Sequence, residues 1–218
     1  ITIDSSTQTG SAGNEITADG TRRVFTSNSD LTGGNPDKSS EVFLYDVLTG
    51  SLRQITRALA PIASTAAAIS YDGSTIAFVS RADHAGDNPQ LNRQIFTYDI
   101  PSSTFRRITD SFEDFDLYED VTLSADASRV VFLSNADLTE ENSDGNYEIF
   151  LFDDSTDTLS QITKHSSSLT PGEVNDPRIS GDGNRIVFSS DTDLLGQNQD
   201  LSDEIYYYDL TSQTFTQV

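Results

Sequence analysis

The chain has 218 residues, of which 35% are hydrophobic, and it carries a formal net charge of −22 with no cysteine. This charge argues against a nucleic-acid partner, since phosphate binding needs clustered Lys and Arg. The lack of cysteine excludes disulfides and thiolate metal sites, and no apolar run is long enough for insertion into a membrane.

One sequence unit occurs four times along the chain. Its most regular marker is an Asp followed by Gly or Ala between two apolar runs, and successive copies of this Asp are separated by 53, 54 and 56 residues. Asp-Gly between strands predicts a tight hairpin, because a type I′ turn needs φ > 0. A regular internal period of this size is typical of repeat architectures.

Each unit contains four predicted strands, named A to D in chain order. Strand A is predicted at 14–17, 67–70, 120–124 and 176–180, and strand B at 22–27, 75–80, 129–134 and 185–190. Strand C is predicted at 41–46, 94–99, 148–153 and 204–209, and strand D at 51–56, 104–109, 158–163 and 214–218. These runs are rich in β-branched and aromatic residues, and no segment has a sustained helical period. Each unit is therefore predicted to form a four-stranded antiparallel meander.

The unit has the consensus ISADGTRIVFTS, a loop, EIFLYDVxTG and a strand ending in QIT, and it resembles the TolB-type, WD-like repeat of bacterial propellers. The resemblance implies an all-β fold, a β-propeller of four-stranded antiparallel blades, with a single domain over 1–218. The blades are expected at about 14–56, 67–109, 120–163 and 176–218. They either close alone or form part of a larger ring, for example as a homodimer.

The connections between strands differ in length. The A–B and C–D turns are short, whereas the B–C and D–A loops are long and are expected on one common face. Long loops on a rigid scaffold are where binding usually resides. Candidate functional residues are therefore expected in these loops.

The B–C loops share a ladder of the form D-x4-N-x-D-x-[S/N]-x-E. Calcium takes six to eight oxygen ligands, and alternate residues of a tight loop can direct oxygens inward. The predicted calcium ligands are Asp30, Asn35, Asp37, Ser39, Glu41, Asp137, Asn142, Asp144, Asn146, Glu148, Asp193, Asn198, Asp200, Ser202 and Glu204. The second loop has Gln90 and Gln94 at two acidic positions and should bind weakly or not at all. The alternative is an ordinary polar turn, whose side chains bond nearby backbone N–H groups.

The third D–A loop, 110–120, combines acidic and aromatic side chains. Such a loop can anchor a partner, and a basic protein or peptide would suit its charge. The predicted partner-binding residues are Phe112, Phe115, Tyr118, Asp114 and Asp116. The alternative is that the aromatic rings pack over the blade while the acids are solvated.

No catalytic constellation stands out in the sequence. The chain has two histidines, no cysteine and no G-x-S-x-G motif. We therefore expect a non-catalytic binding or scaffolding module rather than an enzyme, and the resemblance implies a secreted, periplasmic or cell-surface location. The alternative is a glycosidase or the accessory propeller of a peptidase, with acidic residues in the channel.

Overall fold

The computed structural model describes residues 11–112, 118–165 and 174–218. Within these ranges the chain forms sixteen β-strands and no helix. A helix that is long and apolar enough to cross a membrane is accordingly not found in the described residues. The strands form four separate four-stranded sheets, and consecutive strands are antiparallel neighbours in each.

We number the strands in chain order and the sheets as blades 1 to 4. Blade 1 consists of β1 (Ser11–Ile16), β2 (Arg22–Ser27), β3 (Glu41–Asp46) and β4 (Leu52–Gln54). Blade 2 consists of β5 (Ser64–Ile69), β6 (Thr75–Ser80), β7 (Gln94–Asp99) and β8 (Thr104–Arg107). Blade 3 consists of β9 (Tyr118–Leu123), β10 (Arg129–Ser134), β11 (Glu148–Asp153) and β12 (Thr158–Gln161). Blade 4 consists of β13 (Val174–Ile179), β14 (Arg185–Ser190), β15 (Glu204–Asp209) and β16 (Thr214–Gln217).

The A–B connections are hairpins as predicted, but their turn type differs from the expected type I′. In blade 1 the Gly20 N–H donates to the Thr17 carbonyl at 2.9 Å, and only the second residue of the Asp-Gly pair has positive φ. A type I′ turn would need positive φ at both residues. The Asp19 carboxylate accepts the Thr21 N–H and the Thr17 hydroxyl, which lowers the pKa of Asp19 to about 2. The Asp19 side chain therefore stabilises the turn by accepting these two hydrogen bonds.

The chain divides into two compact units, Ile1–Ile108 with blades 1 and 2 and Thr109–Val218 with blades 3 and 4. In the first unit one apolar cluster joins the two blades and includes Val24, Leu44, Ile69 and Phe78. In the second unit the corresponding cluster includes Val131, Leu151, Ile179, Ile186 and Phe188. In both units strand A of the second blade packs across the first blade, since β5 lies against β1, β2 and β3 and β13 lies against β9, β10 and β11.

Every blade repeats one aromatic contact between strands B and C. The ring centroids are 5.7 or 5.8 Å apart and the rings are nearly parallel, as offset-stacked pairs prefer. The pairs are Phe25–Phe43, Phe78–Phe96, Phe132–Phe150 and Phe188–Tyr206. The predicted fold class, all-β with four antiparallel four-stranded blades, is confirmed.

Candidate functional site

The four B–C loops have one common backbone conformation. In each, the leading Asp accepts the N–H of the Asn five residues later at 2.9 Å. The side-chain amide of that Asn then donates to the carbonyl four residues further on, at 2.8 or 2.9 Å. The residue before that carbonyl has positive φ in every loop: Lys38, Leu91, Gly145 and Leu201. Blade 2 shares this conformation, so the loop forms with or without the later carboxylates.

In blade 1 the ladder side chains converge on the Ser39 hydroxyl. Its oxygen lies 2.7 Å from Glu41 Oε1, 3.0 Å from Asn35 Oδ1 and 3.2 Å from Asp37 Oδ1. The backbone carbonyl of Ala58 lies 3.1 Å from the same hydroxyl. Five oxygens are thus gathered around one hydroxyl proton.

The Glu41 carboxylate is fully buried, with 0% of its surface exposed. It accepts hydrogen bonds from Ser39, from the Thr56 hydroxyl and from the Ala58 N–H. Burial raises the pKa of Glu41 above its ordinary value, and the neighbouring Asp37 adds to the rise. Asp37 is exposed, and the Ala60 N–H holds the pKa of Asp37 below its ordinary value. The cluster therefore has a buried end at Glu41 and a solvent-facing end at Asp37.

Blade 4 repeats part of this arrangement around Ser202, which is exposed, and Glu204 is only partly buried. The Ser202 hydroxyl lies 3.1 Å from Asp200 Oδ1 and 3.1 Å from Glu204 Oε1. The amide of Asn198 donates to the Ser202 carbonyl, so its Oδ1 is directed the other way, as in Asn35. That Oδ1 is buried and has no hydrogen-bond partner among the described residues.

Blade 3 carries Asn146 in place of the serine and gathers more unpartnered oxygens. Three buried atoms there lack a hydrogen-bond partner within the described part of the chain: Asn142 Oδ1, Asn146 Oδ1 and Glu148 Oε2. The other carboxylate oxygen, Glu148 Oε1, accepts the His165 N–H at 2.9 Å and lies 3.1 Å from His165 Nδ1. Glu148 is 1% exposed, so one of its oxygens is buried without compensation.

Blade 2 has the same loop with neutral side chains at the ladder positions that follow the leading Asp83. Asn88 holds the Asn92 carbonyl and also donates to the Arg81 carbonyl at 3.1 Å. Gln90 and Gln94 occupy the positions of the two carboxylates. In residues 11–112, 118–165 and 174–218, no three His, Asp or Glu side chains converge as a metal cluster of their own. Any cation site in the other loops would therefore combine carboxylates with amide, hydroxyl and carbonyl oxygens.

The predicted partner-binding loop lies mostly beyond what the structure describes. Phe115, Asp114 and Asp116 lie outside the described residues, and Tyr118 is described only as the first residue of β9. Phe112 is described, and 79% of its side chain is exposed. Partner binding by this loop stays a prediction.

Two carboxylates that the sequence reasoning did not select lie on strand A of the second unit. Asp120 in β9 and Asp176 in β13 occupy the same position of adjacent blades, where a β-bulge shifts the register against strand B. Both have positive φ, 48° and 52°, and so does Ala66 at the same bulge in blade 2. Each Asp is the first residue of a predicted strand A, so aligning the four repeats by position would have paired them.

One Ser–His contact occurs in blade 2, but it is structural. His84 Nε2 lies 3.0 Å from the Ser80 hydroxyl, which is buried and also accepts the Ala82 N–H. The serine at the end of strand B has this capping role in blades 3 and 4 as well. The His84 ring packs against Phe78, Phe96 and Phe105. A buried, repeated cap is not an accessible nucleophile.

Comparisons with known proteins place this fold among β-propeller structures. No family model matches the chain, and no curated protein matches it either. An oligogalacturonate lyase solved in complex with manganese aligns with 95% of this chain at 15% identity and a TM-score of 0.58, over 53% of its own length. A Bacteroides ovatus protein assigned as a dipeptidyl aminopeptidase IV aligns with 93% at 10% identity and a TM-score of 0.59, over 32% of its length. A prolyl endopeptidase aligns with 96% at 14% identity and a TM-score of 0.54, over 28% of its length.

These similarities establish the class, a β-propeller, and this chain spans about half or less of the length of the structures it matches. The TolB-type assignment is confirmed only at the level of the β-propeller. Two expectations from the sequence are wrong: that the chain is a non-catalytic binding or scaffolding module, and that it is not an enzyme. The finding that overturns them is that solved structures with similar folds include a lyase and two peptidases. The expectation rested on the absence of a recognisable nucleophile motif, and an absent motif does not exclude that a chain belongs to an enzyme.

Proposed function

We propose that this chain is the propeller part of a peptidase-type enzyme, built from TolB-type repeats, and that its acidic inner strands receive the cationic end of a peptide. The fold likeness to two peptidases supports the enzyme class. The position of strand A supports the site, because β13 of blade 4 packs across β9 and β10 of blade 3, and propeller blades in general surround a central channel.

The observation that carries the proposal is the pair Asp120 and Asp176. They occupy the same bulge of neighbouring blades, whereas blade 2 has Ala66 there. A non-glycine residue with positive φ costs on the order of 1 kcal/mol, and that cost is tolerated where the surrounding structure enforces it. The bulge therefore belongs to the blade design, and the carboxylates are what the second unit adds to it.

Charge separates a peptide substrate from a uronide substrate. The chain carries a formal net charge of −22, and this field attracts cations and repels polyanions. An oligogalacturonate is itself polyanionic, so the lyase likeness is the less favourable guide to the substrate. A peptide with a free α-amino group or a basic residue is attracted by the same field.

The test compares peptide hydrolysis by the protein as the cell produces it. Chromogenic peptides with a free α-amino group and the same peptides acetylated at that group are assayed side by side. Asp120→Asn with Asp176→Asn should raise KM for the free peptides several-fold and leave KM for the acetylated ones unchanged. Asp157→Asn, which removes an exposed acid from a C–D turn, serves as the matched control. Equal KM changes for both peptide series, or formation of unsaturated uronides from oligogalacturonate, would overturn the proposal.

A further inference from the structure

We propose that the B–C loops of blades 1, 3 and 4 each bind one calcium ion, and that the loop of blade 2 binds none. In blade 1 the ligands are the side-chain oxygens of Asn35, Asp37, Ser39 and Glu41 with the Ala58 carbonyl. The equivalent side chains serve in the other two loops: Asn142, Asp144, Asn146 and Glu148 in blade 3, and Asn198, Asp200, Ser202 and Glu204 in blade 4. This inference does not depend on the proposed peptidase function.

The Ser39 cluster of blade 1 has more acceptor oxygens than the serine hydroxyl can satisfy. The Ser39 hydroxyl has one proton, yet four acceptor oxygens lie 2.7–3.2 Å from it. One proton can satisfy only one of these acceptors at a time. Backbone N–H groups also reach Glu41 Oε1 and Asp37 Oδ1, so Asn35 Oδ1 and the Ala58 carbonyl compete for the hydroxyl proton. Oxygens that share a calcium ion at about 2.4 Å lie about 3 Å apart, which is the spacing found here. A cation removes the repulsion that a single proton leaves.

Blades 3 and 4 contain buried side-chain oxygens that have no hydrogen-bond partner among the described residues. Asn142 and Asn198 are 2% and 1% exposed, and each Oδ1 lacks a hydrogen-bond partner among the described residues. Their amide groups cannot be flipped, because each Nδ2 donates to a loop carbonyl that would then face an oxygen. The equivalent Oδ1 of Asn35 points at the Ser39 hydroxyl. The unpartnered oxygens are therefore directed into the cluster, and such groups are costly unless a ligand compensates them.

The loop of blade 2 provides an internal control for the calcium proposal. Its loop keeps the Asp83 brace, the Asn88 amide bond and the positive φ at Leu91 while carrying Gln90 and Gln94. The carboxylates of the other loops are therefore not needed for the loop conformation. The polar-turn interpretation accounts for the leading Asp, the Asn amide and the backbone N–H bonds that Asp37 and Glu41 accept. It leaves the unpartnered buried oxygens of Asn142, Asn146, Glu148 and Asn198 unexplained.

The donor chemistry favours calcium over other cations. The ligands are all oxygens, they carry two negative charges per loop, and they come from an irregular loop, joined in blade 1 by the Ala58 carbonyl. Calcium accepts irregular arrangements of six to eight oxygens, whereas magnesium demands near-ideal octahedral geometry. The leading Asp30, Asp137 and Asp193 each use Oδ1 to brace the loop, so we place them outside the ligand set. Water completes the coordination at the exposed Asp37 side.

The experiment counts bound calcium by isothermal titration calorimetry on the full 218-residue chain at physiological ionic strength. The wild-type chain should bind three ions. Asp37→Gln with Glu41→Gln, which copies the residues of blade 2, should bind two. The converse variant, Gln90→Asp with Gln94→Glu, should bind four. Magnesium at the same concentrations should give no stoichiometric binding.

Two outcomes would overturn the calcium proposal. A wild-type chain that binds no calcium leaves the ladder as a polar turn. Weak binding whose stoichiometry is the same in all three proteins assigns the ions to the acidic surface in general. Should the double Gln variant fail to fold, as judged by circular dichroism in EDTA, the gain of one site in the blade 2 variant decides the question. Peptide hydrolysis is not measured, so failure here does not bear on the proposed function.

Discussion

Blades 1 and 2 lie in the same unit and share a loop conformation, yet their B–C loops have opposite chemistry. In blade 1 the loop surrounds a hydroxyl with acceptor oxygens, two of them from carboxylates. In blade 2 the same backbone carries amides and is compatible with a neutral site. The comparison shows that the leading Asp and the Asn amide set the loop conformation, and that the later carboxylates are not needed for it. Variants of the two loops, and of the packed residues beneath them, can test whether these two roles are separate.

The largest expected difference concerns the aromatic pairs of the two blades. Phe78 is fully buried and contacts Phe96, His84 and Phe105, so Phe78→Ala should cost about 3–5 kcal/mol of unfolding free energy. Phe25 makes the same stacked contact in blade 1 but is only half-buried, so Phe25→Ala should cost about half as much. Urea denaturation followed by circular dichroism measures both. Equal losses would show that the two blades are packed alike.

Acid sensitivity should distinguish blade 2 from blade 1. Burial lowers the pKa of His84 from 6.5 to about 4, while Asp83 opposes this shift. The unfolded chain therefore binds a proton first as pH falls, and the folded state loses stability between pH 6.5 and 4. Each pKa unit corresponds to about 1.4 kcal/mol, so the loss should be about 3 kcal/mol.

The matched variant for this prediction is His84→Phe, which keeps an aromatic ring between Phe96 and Phe105. Its loss of unfolding free energy over that pH interval should be smaller than that of the wild type by the contribution of His84, while the carboxyl groups contribute alike in both. The measurement is urea denaturation at pH 7, 6, 5 and 4. A slope of unchanged size in the variant would assign the acid sensitivity to another group, with His165 the remaining histidine.

The Asn that holds each loop should be equally important to both blades in the absence of calcium. Asn88→Ala leaves the partly buried carbonyls of Arg81 and Asn92 without that donor and should cost about 1–2 kcal/mol. Asn35→Ala should cost about the same in EDTA and clearly more in calcium, because it also removes a proposed ligand. Melting curves of both variants with EDTA and with calcium give the comparison. A calcium effect of the same size in both variants would contradict the assignment of the ion to blade 1.

Sequence reasoning located strands B and C to the residue and misplaced the ends of strands A and D. Strand A begins two or three residues earlier than predicted, because a bulge interrupts the alternation that marks a strand. Strand D ends earlier, because the Thr56 hydroxyl takes the Val42 N–H in place of a backbone carbonyl. In both cases a local side-chain or bulge geometry replaces the regular ladder, and a residue pattern carries no sign of that.

The same limit applies to the candidate sites. Alignment of the repeats found the ladder, because its members recur at fixed spacing in all four loops. It could not separate the bracing role of Asp30 from the clustering of Asp37 and Glu41, which depends on where each oxygen points. The Ala58 carbonyl is invisible to any motif, since every residue has one. Asp120 and Asp176 went unnoticed because their significance lies in the bulge and not in their neighbours.

The smallest expected effect concerns the junction between blades 1 and 2. Arg22 Nη1 donates to the Gly73 carbonyl of the next blade at 2.6 Å, and Arg129 makes the same bond to Gly183 in the second unit. Removal of this charged donor in Arg22→Ala should cost about 1 kcal/mol, since the bond is partly exposed. Arg185 occupies the equivalent position in blade 4 but is half exposed and bonds Tyr207 of its own blade, so Arg185→Ala should cost less than about 0.5 kcal/mol. Urea denaturation of Arg22→Ala, Arg129→Ala and Arg185→Ala measures the three losses of unfolding free energy. A loss at Arg185 as large as those at Arg22 and Arg129 would mean that this arginine stabilises its own sheet and that the bond to the next blade contributes little.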